Sequence, residues 1–222
     1  MGVLDYLVEH FDIVWARAVE HLTISAASVV LAVAISLPVG TALSRRRALA
    51  GPVLGVLGAL YTVPSLALFA LLVPFTGIGA RPAITALVIY SLFIVVRNIL
   101  VALTTLDPAV VEAARGMGMS DMQMLMRVEL PLAMPLIVAG VRIASLSTIG
   151  LTTVAAWVGA GGLGQLLKDG INNPPKLYAG VIAVGLMALG ADLLMRLLQR
   201  LSSAHVHVWP IRAVDAVQPK EA

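Results

Sequence analysis

The chain has 222 residues, of which 59% are hydrophobic and only 12% charged, and its mean hydropathy is +0.96. A water-soluble globular domain carries about 25% charged residues, so this composition excludes one and makes the lipid bilayer the natural solvent. No cysteine is present, which excludes disulfides and thiolate metal sites, and the net charge of +3 is not arranged as a basic stripe with interleaved aromatics, so nucleic acid is not an expected partner.

In chain order, the first twenty residues hold Asp5, Glu9, Asp12 and Glu20 against Arg17 alone, the reverse of a basic signal-peptide start, and the N-terminus is expected to be retained. Leu4, Leu7, Val8, Phe11, Val14, Trp15 and Ala18 recur at helical spacing, which predicts an amphipathic interfacial helix over 1–21. Residues 22–44 carry no charge and as a helix reach roughly 34 Å, enough for a first span across a core of about 30 Å; Arg45, Arg46 and Arg47 end it. The next uncharged stretch, 48–80, is too long for one straight crossing. Pro52 suits a helix start, and Pro64, Pro74, Gly77 and Gly79 suit kinks and stops, so a second span is expected near 53–73. Further spans are expected at 82–103, 134–158 and 177–198, which makes an all-α polytopic protein of about five transmembrane helices occupying 22–200, with a tail at 201–222. No internal repeat stands out.

Lys and Arg are distributed unevenly between the two faces. The loop after the first span, the region 97–131 and the tail hold ten (Arg45, Arg46, Arg47, Arg97, Arg115, Arg127, Arg196, Arg200, Arg212, Lys220), and the other face holds four (Arg17, Arg81, Lys168, Lys176). Positive charge accumulates on the cytoplasmic side, so the N-terminus is expected outside and the C-terminus in the cytoplasm of a multi-pass bacterial membrane protein.

The segment 107–131 is the longest charged stretch between spans. Asp107-Pro108 offers an N-cap and an N1 proline for a helix carrying Glu112, Ala113 and Ala114, and Gly116 and Gly118 interrupt it. Ser120 with Gln123 forms a capping-box pattern for a second short helix, expected to stop at Leu130-Pro131. Met117, Met119, Met122, Met124 and Met126 are five of the nine methionines; such polarisable side chains suit a partner's groove, or pack against the chain's own helices.

The spacing Glu112-Ala113-Ala114, Gly118, Val128, Leu130-Pro131 resembles the E-A-A-x3-G-x9-I-x-L-P motif of ABC importer permeases, with valine in place of the usual isoleucine. In that family the segment forms coupling helices that dock in a groove of the ATPase. The resemblance thus implies the type I ABC importer permease fold and an ATPase-coupling role for Glu112, Ala113, Ala114, Gly118, Met119, Met122, Val128, Leu130 and Pro131. Its implied partners are a second permease subunit (the same chain or a different one), two ATP-binding-cassette ATPases and an extracytoplasmic substrate-binding protein. ATP and Mg would be bound by the ATPase, with no cofactor in this chain. The run Glu112–Met119, the following Val128-Glu129-Leu130-Pro131 and the loop Gly159-Ala160-Gly161-Gly162-Leu163-Gly164 look like osmoprotectant permeases for glycine betaine, carnitine and choline. The glycine loop also resembles methionine-importer permeases, so it supports the importer class more firmly than the substrate.

Arg142 and Asp192 fall inside spans, where an unpaired charge is costly; they are expected to pair within a subunit or across a dimer, or else to snorkel or meet Asn98 or Arg196. Tyr61, Tyr90 and Trp157 are candidates for the substrate path of a quaternary ammonium, which ring faces can hold. With 5% aromatics a full cage in the pore is not expected; the cage is expected on the binding protein, and belt positions explain Trp157 and Tyr178 equally well. His205 and His207 lack further ligands for a metal site. The glycine loop follows no strand and no G-x-x-x-x-G-K-[ST] occurs, so nucleotide binding is not expected here; the loop reads as a re-entrant turn near an outer gate. H-E-x-x-H and G-x-S-x-G are absent, which disfavours an intramembrane enzyme, and a passive channel would leave the coupling motif without a purpose.

Overall fold

The structure, a computed structural model, describes residues 2–204, and all regular elements among them are helical. They are α1 (Val3–Glu9), α2 (Phe11–Arg45), α3 (Arg47–Thr62), α4 (Ser65–Thr76), α5 (Ala80–Thr104), α6 (Pro108–Gly116), α7 (Asp121–Met124), α8 (Leu130–Ala155), α9 (Gly164–Asp169) and α10 (Pro174–Ala204). Four stretches, Phe11–Arg45, Ala80–Thr104, Asp121–Val158 and Pro174–Ser202, are each long and apolar enough to cross a bilayer. The bent pair α3 and α4 is long and apolar enough together to be a fifth, broken span or a re-entrant segment. His205, His207 and most of the tail lie outside the described residues.

The centre of the bundle is α2, α5 and α8, which pack against one another. Close approach depends on small residues: a Cβ on Gly40 of α2 would stand 2.6 Å from Ile99 Cγ2, and one on Gly140 of α8 would stand 2.4 Å from Asn98 Cβ. Ala32, Ala86 and Ala144 are fully buried at the same interfaces. Paired hydroxyls satisfy one another across the helices, Ser25 with Thr152 and Ser91 with Thr148, each at 3.0 Å. Short side chains and interhelical hydroxyl bonds are what hold helices together where lipid offers no hydrophobic contrast.

Three expectations are corrected. The N-terminal helix does not continue over 1–21: α1 ends at Glu9, His10 leaves helical geometry, and the residues from Phe11 onward extend α2 to 35 residues, roughly 52 Å. Their apolar side is divided: Val14, with Leu7 and Ala18 beside it, packs against Leu163 and Leu166 at the start of α9, whereas Leu4, Val8, Phe11 and Trp15 stay exposed. The second span is not one helix over 53–73; α3 begins at Arg47, with Pro52 inside it, and turns through 97° into α4 at Val63-Pro64. Pro64 cannot donate an amide hydrogen bond and pushes Val63 to extended geometry (φ −62°, ψ 131°), which ends α3. Finally, Leu130-Pro131 does not stop the coupling segment. Residues Leu125–Glu129 form a π-helical turn, in which the Leu130 amide donates to the Leu125 carbonyl, and the wider turn carries the chain past Pro131 into α8.

Candidate functional site

At one end of the bundle, α6, α7 and the π-turn form a compact unit whose parts are specified locally. The Asp107 carboxylate accepts from the Ala109 amide at 2.9 Å and caps α6. Ser120 and Gln123 make the reciprocal capping box: Ser120 Oγ accepts from the Gln123 amide at 3.3 Å, and Gln123 Oε1 accepts from the Ser120 amide at 2.9 Å. Between them Gly118 adopts φ +78°, a left-handed conformation that favours glycine, and a Cβ there would meet nothing within 4 Å. The turn stands clear of the chain's own packing.

The residues singled out from the motif divide into two sets. Glu112, Ala113, Gly118, Met122 and Pro131 are exposed, whereas Ala114 is buried and Met119, Val128 and Leu130 are half-buried. The methionines divide likewise: Met117, Met122 and Met126 are 69%, 64% and 59% exposed, and Met124 is 1% exposed in the packed interior. One side of the segment holds the bundle and the other presents an apolar, adaptable surface.

Glu129, which sequence reasoning passed over, anchors this unit. It is 4% exposed, and its Oε2 accepts from Arg45 Nη2 at 2.6 Å, tying the end of α2 to the start of α8. An acid between Val128 and Leu130, entering an apolar helix, in a chain with three consecutive arginines at the end of another, is the signal that could have found it. Arg45 and Glu129 also line a polar cleft with Glu112 and Arg115.

Farther along the bundle the structure brings Arg142 and Asp192 together within the chain. Arg142 Nε donates to Asp192 Oδ1 at 2.5 Å, and Arg196 Nε donates to Asp192 Oδ2 at 2.7 Å, so the carboxylate is shared by two guanidinium groups. The pair and the Arg196 contact, which were alternatives in the sequence, occur together and fasten α8 to α10.

Tyr61 and Tyr90 meet edge to face, with ring centres 5.8 Å apart, beside the break between α3 and α4. Tyr90 is buried and its hydroxyl donates to the Val63 carbonyl at 2.6 Å, satisfying a group that the break leaves without a helical partner. Phe93, not among the sequence candidates, joins them at 5.1 Å from Tyr61. Trp157 is exposed on the 3₁₀ turn Ala156–Val158 beyond α8 and makes no ring contact with these residues among those described.

At the opposite end, the glycine loop folds back over α2. Gly161 and Gly162 have φ +81° and +71°, and the Gly162 amide donates to Glu20 Oε2 at 2.8 Å, the oxygen that also accepts from Arg17. His21 is buried beneath the loop with Nε2 3.0 Å from the Ile149 carbonyl.

Residues 29–208 match the model of the family described as binding-protein-dependent transport system inner membrane component. Among curated relatives, the chain is 41% identical over 206 residues to the osmoprotectant import permease protein OsmW of Salmonella typhimurium, covering 90% of this chain and 96% of that one. It is 38% identical over 190 residues to the carnitine transport permease protein OpuCB of Listeria monocytogenes (85% and 87% covered). It is 35% identical over 186 residues to the choline transport system permease protein OpuBB of Bacillus subtilis (83% and 86% covered). The fold is shared with a chain in a structure of inward-facing conformations of the MetNI methionine ABC transporter, with TM-score 0.79 at 24% identity over 85% of this chain and 95% of that one. A chain of an amino acid ABC transporter structure with histidines matches with TM-score 0.71 at 18% identity, covering 93% and 99%. With its polytopic helical bundle and this family match over most of its length, the chain belongs to the inner-membrane permease components of binding-protein-dependent ABC importers.

Proposed function

We propose that this permease carries quaternary-ammonium osmoprotectants such as glycine betaine, carnitine or choline, and that Glu112 to Pro131 is the segment through which a separate ATPase drives it. The observation that carries the coupling role is the freestanding turn at Gly118, flanked by exposed Met117 and Met122 on a unit whose other side is anchored by Ala114, Met124 and the Arg45–Glu129 bond. A knob held rigidly from behind and apolar in front can transmit a push; a loose loop cannot. The sequence's bias of ten basic residues in the inner loops and tail against four elsewhere supports a cytoplasmic motif end, an extracytoplasmic N-terminus and a cytoplasmic C-terminus.

In this reading two permease subunits enclose the pore, two ATPases bind ATP and Mg and carry out hydrolysis, and a binding protein delivers solute to the glycine-loop end. The cargo rests on the activities of the three relatives, permeases for osmoprotectants, carnitine and choline. Reconstitution in liposomes tests it. Uptake of glycine betaine or choline that requires ATP, ATPase and binding protein is expected; uptake without ATP would indicate a channel, and ATP-driven uptake of methionine alone would reassign the cargo.

A further inference from the structure

The break between α3 and α4 opens onto a cavity of about 510 Å³ whose walls include Tyr61, Phe93, Arg97, Asn98 and Ile143. Its depth follows from the helices. Tyr61 lies fourteen residues along α3 from Arg47, roughly 21 Å, and Arg97 lies seven residues from the end of α5 at Thr104, roughly 10 Å. The cavity thus borders Arg97 about 10 Å along the apolar spanning helix α5, beside a discontinuous helix; within a span, irregular backbone is tolerated only if it lines protein or a wet path.

Arg97 is exposed to this cavity and makes no ion pair with any described residue, unlike Arg142, which is neutralised by Asp192. A guanidinium at this depth is sustained by water or by an anion that visits it. Phe93 stands one turn away on the same face of α5, about 6 Å by helical rise, with the Tyr61 ring beside it. The carbonyl end of α3, the negative pole of that helix, terminates at the same place. One end of the cavity thus favours a cation without hydrogen-bond donors, and the other favours a carboxylate.

Building on the osmoprotectant reading, we propose that this cavity is a solute site on the transport path, where Tyr61 and Phe93 take the trimethylammonium group of a betaine and Arg97 takes its carboxylate. The site recognises a zwitterion with cation and carboxylate a few ångströms apart. It is a partial cage of two rings, open to the pore, which suits a site that must release its occupant. Choline carries the same cation and no carboxylate, so it would use only the aromatic end.

The test uses the complete importer in liposomes, with substitutions only in the permease. The binding protein is common to all samples, so any change in the ratio of glycine betaine to choline uptake reports on the pore. Arg97→Gln is expected to lower betaine uptake about tenfold, corresponding to about 1.4 kcal/mol, and choline uptake by less than about twofold, while Arg97→Lys recovers most of the loss. Tyr61→Leu is expected to slow both solutes and Tyr61→Phe to retain both, since the ring and not the hydroxyl meets the cation. Equal loss of both solutes in Arg97→Gln, undiminished betaine uptake in it, or wild-type transport of choline alone would overturn the site. Wild-type complex that hydrolyses ATP and imports neither solute would overturn the osmoprotectant reading and the site with it.

Discussion

Gly118 and Gly162 occupy nearly the same backbone conformation, φ +78° and +71°, at opposite ends of the bundle, and their surroundings could hardly differ more. Around Gly118 there is open space; against Gly162 lie His21 at 3.1–3.2 Å from where a Cβ would stand and the Glu20 carboxylate bonded to its amide. The glycine of the motif end is required by the shape of the turn alone. In the loop at the other end glycine is required twice, by the turn and by the side chains pressed onto it. A left-handed turn left clear of its own fold is available to another protein, whereas one clamped by its own chain is part of the scaffold.

Substitutions separate these cases, beginning with the most damaging. Gly164→Val is expected to abolish folded protein, because a Cβ at Gly164 would stand 2.1 Å from the Thr153 carbonyl oxygen, a backbone atom that cannot step aside. Membrane extracts should contain no monodisperse permease, and a stable Gly164→Val protein would show that the loop is looser than described. Gly118→Asp is expected to act in the opposite way. The side chain has room, and the left-handed backbone costs about 1–2 kcal/mol, so the subunit should still assemble in the membrane. ATP-driven uptake should nevertheless fall to the level seen without ATP while hydrolysis continues. Normal uptake would remove the glycine turn from the coupling role.

The smallest effect is expected for Glu20→Gln. The amide oxygen still accepts from Gly162, but the charge that Arg17 faces is lost, and since both side chains are partly exposed the pair is worth little. A fall in thermal midpoint of no more than about 3 °C is expected in detergent. A collapse comparable to Gly164→Val would mean that this one carboxylate carries the loop.

What could be read from the sequence was what is local. The cap at Asp107, the capping box of Ser120 and Gln123 and the interruption at Gly118 each involve residues within four positions of one another, and all occur in the structure. Span count was legible because bilayer thickness sets helix length. The contacts that hold the site in place were not legible in this way. Arg45 and Glu129 are 84 residues apart, and Glu20 and Gly162 are 142 apart, and nothing in either neighbourhood names its partner. Prolines were legible as disturbances but not in outcome. Pro64 turns the chain through 97°, whereas Pro131, entering a helix already widened by a π-turn, leaves it continuous. Which of these happens is decided by packing around the proline. The Arg142–Asp192 contact was the one long-range interaction that charge in an apolar span made readable, because cost in lipid demands a partner.

That the ATPase docks at the motif end and not at the glycine-loop end is tested most directly by thiol protection. The sequence contains no cysteine, so Met117→Cys, Met122→Cys and Ile171→Cys each place a unique thiol in the subunit, the first two at the coupling segment and the third, 65% exposed, at the opposite end. Maleimide labelling is measured in permeabilised membranes with and without the partner ATPase. Protection of the first two on ATPase assembly, with Ile171→Cys labelled equally in both samples, is the predicted result; equal labelling of Met117→Cys and Met122→Cys with and without ATPase would contradict it.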